Sequence, residues 1–465
     1  MKKTAFILTV LLLLLAGAGS ASAVELKAGK IRAFDNNILT VSSEDGGVLT
    51  IEATDGTIPL KELVKDLHID GGEVEIPWDG LSFGGEPVRQ GKMTLRATLI
   101  GTDRTVERTE ITVEAGPPRS AVVCCLPVTR YFCANGKSTL RIEVTMSSAG
   151  AYEITIAPKD HPEEVAWRRR GTDDARSPMV VKWEGKGKKG RYCAPGEYII
   201  SAWSRSCPDR VQTAELTLLE KPLPEPELAV TGSLIPEDLS DDEAVWASLT
   251  APVTVGSGSE GQGLYILSEK RRGDDWAGTV ACRTVGVAVL EICGDGWVRV
   301  GAWRQSDGFY TEGYVKADKL RVIRPNQRYG AVVDKKAQTL TVYEYGKKLG
   351  TVKVSTGFTT MASREADTHC GVFLLGTRMQ AFMTDGHWYD YPIRIEAGNL
   401  IHQAGYARED GRRNFSEEIA ALGTKASHGC IRVDPRATEE NGGINAWWIW
   451  THMGHDCKII VTPED

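Results

Sequence analysis

Three things are missing from this 465-residue sequence, and each narrows what the chain can be. After the first residues no apolar run is long enough to span a bilayer, so no later transmembrane segment is expected. No Gly-rich phosphate loop is present, which leaves nucleotide chemistry without a seat. No Cys-x2-Cys couple is present, so zinc ligands of the usual paired kind are lacking around His452, His455 and Cys457. A strong charge of one sign is also absent. The 55 basic and 62 acidic residues give −7, which argues against a polyanion binder and hence against nucleic acid as partner. Long helical patterns are few. With 49 Gly, 20 Pro and frequent Thr and Val, the chain reads as mainly β, and its length suits about three or four domains.

The N-terminus has Lys2 and Lys3, an apolar run from Ala5 to Leu15, and Ala21-Ser22-Ala23. That pattern is a secretory signal peptide over residues 1–23, cleaved after Ala23, and predicts an exported protein of the cell wall or periplasm.

Chemistry concentrates near the C-terminus, in Ser427-His428-Gly429-Cys430-Ile431-Arg432-Val433, with Ile401-His402-Gln403 upstream. A cysteine attacks as its thiolate, so it needs a base, positive charge or amide donors nearby. His428 and Gly429 directly precede Cys430, and His402 lies 28 positions before it. Gly429 permits close backbone approach, so that amide N–H groups can face a developing oxyanion. The bland alternative is a buried cysteine acting as a small hydrophobe.

The full string resembles the signature of L,D-transpeptidases, the YkuD-type enzymes that cross-link bacterial peptidoglycan. The alternating strands from Tyr329 onward resemble the opening of the same domain, which sets its span at residues 329–465. The resemblance implies a β-sandwich catalytic domain with short helices after the Cys motif. It makes Cys430 the nucleophile and His402 the base, with the Gln403 carbonyl fixing the imidazole tautomer. Gly429 and Cys430 become the amide donors, and Ser427 and His428 hold the loop. Arg432 either orders that loop or meets a substrate carboxylate. Trp388, Tyr389 and Tyr391 lie where aromatic segments of the family flank the substrate cleft, so Trp388 and Tyr391 are substrate-binding candidates. Peptidoglycan stem peptides are the implied partner, carbapenems the implied inhibitors, and no metal or other cofactor is required.

Two departures from the family pattern stand out. Between His402 and Ser427 lie 24 residues, more than the family ordinarily has, with the surplus in residues 406–423. A surface loop tolerates such length, because closure entropy grows slowly. The second departure is His369-Cys370 before Gly371, where the family commonly has Pro; a strand-entry turn is the plain reading.

Upstream, Trp78, Gly85 and Gly91 match Trp183, Gly190 and Gly196, with spacings of 7 and 13 in both copies. The repeat resembles the Ig-like domain of flagellar hook-capping proteins and gives two Ig-like β modules, 24–118 and 119–222. Both are read as spacers or partner surfaces, dispensable for chemistry. A Pro-rich acidic linker follows over 223–243. Residues 244–325 resemble a bacterial SH3-like domain, in which Trp297 and Trp303 serve either the core or wall binding. Of the ten cysteines, Cys282 and Cys293 are the best local disulfide pair; the connectivity of Cys124, Cys125, Cys133, Cys193 and Cys207 stays open.

The leading expectation is acyl transfer from a tetrapeptide stem through a Cys430 thioester. An L,D-carboxypeptidase or cysteine peptidase would resolve the same thioester with water. A non-enzymatic wall-binding adaptor is the third reading.

Overall fold

The computed structural model describes residues 24–236, 238–271, 275–358 and 366–464; the signal peptide expected over 1–23 lies outside them. The protein is mainly β, as its composition predicts. No helix among the described residues is long and apolar enough to cross a membrane.

Residues 25–115 form a three-stranded and a four-stranded sheet that enclose one apolar core, including Leu39, Val41, Leu49, Ile51, Trp78 and Leu95. A second unit, residues 122–218, packs a three-stranded sheet on a five-stranded one around Ile142, Val144, Ile154, Trp183 and Ile200. The sequence repeat has one physical cause in both. Each Trp ends a strand, and its indole N–H donates to a carbonyl three residues on, Trp78 to Leu81 and Trp183 to Lys186, both at 2.9 Å. Gly80, Gly85 and Gly91 then take positive φ, as do Gly185, Gly190 and Gly196. The repeated spacing is therefore a turn requirement that side chains with a Cβ meet poorly.

Helix Asp242–Thr250 occupies the junction where a linker was expected to give way to strands. Asp241 caps it, accepting from the N–H groups of Glu243 and Ala244. Its Val245 and Leu249 pack against Val332, Tyr343 and Ile460 of the C-terminal sheet. Beyond it, residues 263–316 form a five-stranded sheet that shares a continuous apolar core with the C-terminal domain. Trp297 is buried in this region, and Trp303 packs against Gly371 and Tyr310.

The expected Cys282–Cys293 disulfide is absent, and all ten cysteines are free thiols. Cys282 follows strand Trp276–Ala281 at one edge of the five-stranded sheet, whereas Cys293 ends strand Ala288–Cys293 at the other edge. Three strands separate them, far beyond the reach of a disulfide.

The C-terminal domain is built on an eight-stranded sheet whose centre runs Lys458–Thr462, Tyr329–Asp334, Thr339–Glu344, Lys347–Ser355, Ile431–Val433 and Leu400–Gln403. Helix Ala446–His452 covers it, burying Trp447, Ile449 and Trp450.

The two N-terminal units are not spacers swung out on a hinge. Arg378 of the C-terminal domain and Glu143 of the second unit form a buried ion pair at 2.6 Å, and Arg378 also donates to the Trp450 carbonyl at 2.6 Å. His455 lies 2.7 Å from the other Glu143 oxygen. Burial alone would raise the Glu143 carboxyl, but His455 and Arg378 outweigh it and hold the group down to about 2. The contribution of this pair is thus present above the ordinary carboxylate range and is lost as the pH falls toward 2. Arg378→Ala leaves a buried carboxylate without its guanidinium. It is expected to lower stability by about 3–5 kcal/mol, read as the denaturant midpoint; an unchanged midpoint would show that the interface contributes nothing. A fragment beginning near Asp241 would lose this pair and its contribution to stability, while the expected dispensability of residues 24–222 for chemistry is read by the acylation activity of that fragment.

Candidate active site

Three segments meet at one edge of the eight-stranded sheet. Strand Leu400–Gln403 runs parallel to strand Ile431–Val433, with Ile401 opposite Ile431, His402 opposite Arg432 and Gln403 opposite Val433. Paired residues on neighbouring strands share a face, and alternate residues return to it. His402 and Arg432 therefore share one face, and Cys430 directly precedes strand Ile431–Val433, within reach of the Leu400 backbone and the Arg432 charge. His402 and Cys430 are 28 positions apart in sequence, yet the strand of one is hydrogen-bonded to the strand that follows the other.

His402 is buried, and its Nδ1 lies 2.7 Å from the carbonyl of Gln403. A carbonyl can only accept, so this contact puts the proton on Nδ1 and leaves Nε2 with its lone pair. The tautomer expected from the Gln403 carbonyl is the one this geometry holds. Burial pulls the imidazole down to about 4; the Gln403 carbonyl opposes this shift and the Arg432 charge adds to it. Burial pushes the Cys430 thiol up, while a backbone hydrogen bond from Leu400 and the Arg432 charge pull the other way. Near neutral pH the His402 imidazole is thus neutral, and burial favours the protonated thiol of Cys430.

The nucleophile loop is held from several sides. Gly429 has φ +111°, and a Cβ there would lie 2.4 Å from Asn399 Oδ1. Any side chain would displace Asn399 as well as strain the backbone. Ser427 is buried, and its hydroxyl donates to the Cys430 carbonyl. The Gly429 N–H donates to Ser427 Oγ at 3.3 Å, so this amide, expected to face an oxyanion, is turned into the loop. Thr368 Oγ1 donates to the Gly429 carbonyl at 2.9 Å. His428 is exposed, with its ring edge-to-face against Phe358 at 5.1 Å.

The aromatic candidates are separated by strand alternation. In hairpin Ala381–Thr384 and His387–Asp390, Phe382 pairs with Tyr389 and Met383 with Trp388. Phe382 and Tyr389 turn toward His402, with ring centroids 5.3 and 4.9 Å from its imidazole. Trp388 points to the opposite face, where it lines a cavity with Arg89, Tyr406 and Arg408 against the first β unit. Tyr391 is buried, gives its hydroxyl to Glu86 at 2.7 Å and packs on Trp447 and Trp450. As a substrate-binding candidate Tyr391 is corrected, since its ring and hydroxyl are both enclosed. The residue in contact with the imidazole is Tyr389, one position from Trp388; aromatic composition found the segment but not the face.

Arg432 is paired within the chain. Its Nη1 lies 3.1 Å from Glu418 Oε2, and its guanidinium lies over the Tyr389 ring at 5.7 Å. Glu418 comes from helix Ser416–Ala421, inside the surplus residues 406–423. Arg432 thus ties the strand after Cys430 to the insertion helix and to Tyr389.

His369 and Cys370 turn apart. His369 Nδ1 meets Glu396 at 2.7 Å, and Glu396 accepts from Asn399 at 3.2 Å. Cys370 faces Lys335 Nζ at 3.8 Å. His452 stacks on Trp448, His455 meets Glu143, and Cys457 is buried, so those three also serve separate partners. Among the described residues, the only group spaced to share a metal ion is the exposed trio His161, Glu163 and Glu164, far along the chain from this site.

A buried histidine with one ring nitrogen left open, on the strand next to the one that follows a glycine-flanked cysteine, defines a candidate acyl-transfer site. Residues 328–458 match the family model of the L,D-transpeptidase catalytic domain, YkuD type. This supports a transpeptidase-type function related to peptidoglycan for the C-terminal domain. No curated protein matches the chain. Similar solved structures include an L,D-transpeptidase from Mycobacterium smegmatis, at 16% identity over 46% of this chain and 92% of that one, TM-score 0.25. Another is L,D-transpeptidase 3 from Mycobacterium tuberculosis in complex with a faropenem-derived adduct, at 14% identity over 45% and 97%, TM-score 0.24. A third is an L,D-transpeptidase in complex with imipenem, at 16% identity over 46% and 92%, TM-score 0.25.

Proposed function

We propose that this protein is an exported peptidoglycan L,D-transpeptidase that forms 3→3 cross-links by cysteine acyl transfer. The observation that carries the reading is the pairing of the His402 strand with the strand that Cys430 leads into, with His402 Nδ1 committed to the Gln403 carbonyl, inside the matched domain. Cys430 Sγ attacks the carbonyl joining the third stem residue to the terminal D-Ala as His402 Nε2 takes the thiol proton. Collapse of the tetrahedral adduct breaks the peptide C–N bond, and the same proton leaves on the D-Ala amine. A thioester remains. The side-chain amine of a neighbouring stem then attacks it, His402 accepts a proton from that amine, and the thiol is regenerated. The site's own residues supply every proton transfer.

Defined tetrapeptide stems incubated with the mature protein and read by mass spectrometry test this. Cross-linked dimers lacking one D-Ala are expected. Trimmed tripeptides alone would identify an L,D-carboxypeptidase, and unchanged stems would leave a wall-binding adaptor.

A further inference from the structure

The surplus residues between base and nucleophile are wedged between the first β unit and the catalytic histidine. Hairpin Ala407–Glu409 and Arg412–Asn414 grips the turn that joins strands Gly47–Asp55 and Ile58–Ile69. Arg413 makes two contacts to Asp55 Oδ2, at 2.8 and 2.6 Å, and both residues are buried. The Phe415 N–H donates to Thr57 Oγ1 at 2.9 Å, and Ile58 packs with Tyr406 and Phe415. A Cβ on Gly56 would lie 1.5 Å from the Arg413 carbonyl oxygen, so the turn is seated directly on the hairpin backbone.

The same insertion continues into helix Ser416–Ala421, whose Glu418 is buried. One Glu418 oxygen meets Arg432 at 3.1 Å, and the other accepts from the Tyr389 hydroxyl at 3.4 Å. Tyr389 and Arg432 are two of the groups that bear directly on His402. We propose that residues 24–118 act as a built-in positioning element for the catalytic base, transmitted by the Asp55–Arg413 contact to Glu418, which balances Arg432 and sets Tyr389 against His402. Glu418 is a positioning residue; it acts through Arg432 and Tyr389. The charged or titratable groups that face His402 are Arg432 from the strand after Cys430 and Tyr389 from the hairpin, with Glu418 behind Arg432. This inference rests on the transpeptidase reading for its rate measurements but not for its electrostatic one.

The test uses the full mature chain with Glu418→Gln, Glu418→Asp and Asp55→Asn. Glu418→Gln keeps the side chain's shape but leaves Arg432 unbalanced. It is expected to lower kcat on stem peptides by roughly 10- to 100-fold with KM little changed. The acid limb of the pH–rate profile should shift to lower pH, because an unbalanced guanidinium disfavours the imidazolium. Glu418→Asp should recover part of both effects. Asp55→Asn, more than 350 positions away in sequence, should move kcat in the same direction. A parallel readout follows Cys430 alkylation by iodoacetamide against pH, with peptide mapping. Its profile should also shift to lower pH in Glu418→Gln. A shifted alkylation profile supports the relay even if wild-type protein leaves stem peptides unchanged. Wild-type kcat and unshifted profiles in Glu418→Gln would overturn it, as would a lower melting temperature with both pH profiles unmoved. If Asp55→Asn fails to fold, Thr57→Val, which removes only the acceptor for the Phe415 N–H, takes its place with the same expected direction.

Discussion

Incubation with a carbapenem is expected to add one drug mass to the wild-type protein and none to Cys430→Ala. On the proposed mechanism the strained lactam carbonyl meets the Cys430 thiol with His402 on the neighbouring strand as proton acceptor, so ring opening leaves an acyl-thioester in place of the peptide acyl group. Selectivity among ten thiols follows from burial. Eight are buried, and only Cys193 and Cys430 are partly open. Burial pushes the Cys193 thiol up, whereas at Cys430 a backbone hydrogen bond and the Arg432 charge oppose that shift. Intact-protein mass spectrometry reads the result directly. An unmodified wild type, or an adduct that survives Cys430→Ala, would remove Cys430 from its role as nucleophile. The same substitution should abolish turnover of stem peptides, since no other group in the site can carry the acyl chain.

His402→Ala is expected to stay folded and lose about 10²–10⁴-fold in acylation rate, the usual consequence of removing a positioned general base. The wild-type rate should fall on the acid side as the imidazole protonates, at a pH well below that of an ordinary histidine. Burial has lowered His402 to about 4, so the neutral, proton-accepting form persists through mildly acidic conditions. In His402→Ala that limb should vanish. His428→Ala should behave differently. Its ring is exposed and contacts Phe358, so its loss should loosen the nucleophile loop and lower thermal stability while the acid limb remains. Stopped-flow acylation across pH, paired with melting curves, separates the two. A normal rate in His402→Ala together with a lost acid limb in well-folded His428→Ala would reverse the assignments.

How much of this was legible in the sequence depended on whether the physics was local. The Ser427 to Val433 string is local: a positive-φ glycine, a serine hydroxyl tied back to the Cys430 carbonyl, and the cysteine itself fall within a few residues. The Trp-Gly-Gly repeat is local too, because strand end, indole hydrogen bond and turn lie within one hairpin. The resemblance drew attention to the segment Trp388 to Tyr391, but which of its rings meets His402 depends on strand alternation and on what packs on each face. Helix Asp242–Thr250 was missed because its buried face consists of only Val245 and Leu249, too few to show a helical period. Cysteine spacing suggested a Cys282–Cys293 disulfide, but strand order placed the two at opposite sheet edges.

The sequence alone determined that this is a mainly β chain with a glycine-flanked cysteine and an upstream histidine, since composition, alternation and turn chemistry act over a few residues. The tertiary structure alone decided what surrounds that pair. Glu418 reaches Arg432, Arg378 reaches Glu143 across 235 positions, and Arg413 reaches Asp55 across 358. The last two join groups hundreds of positions apart in sequence, and in an unfolded chain every one of these charges would sit in water. Only the packed interface, by removing that water, makes one particular partner worth more than solvent.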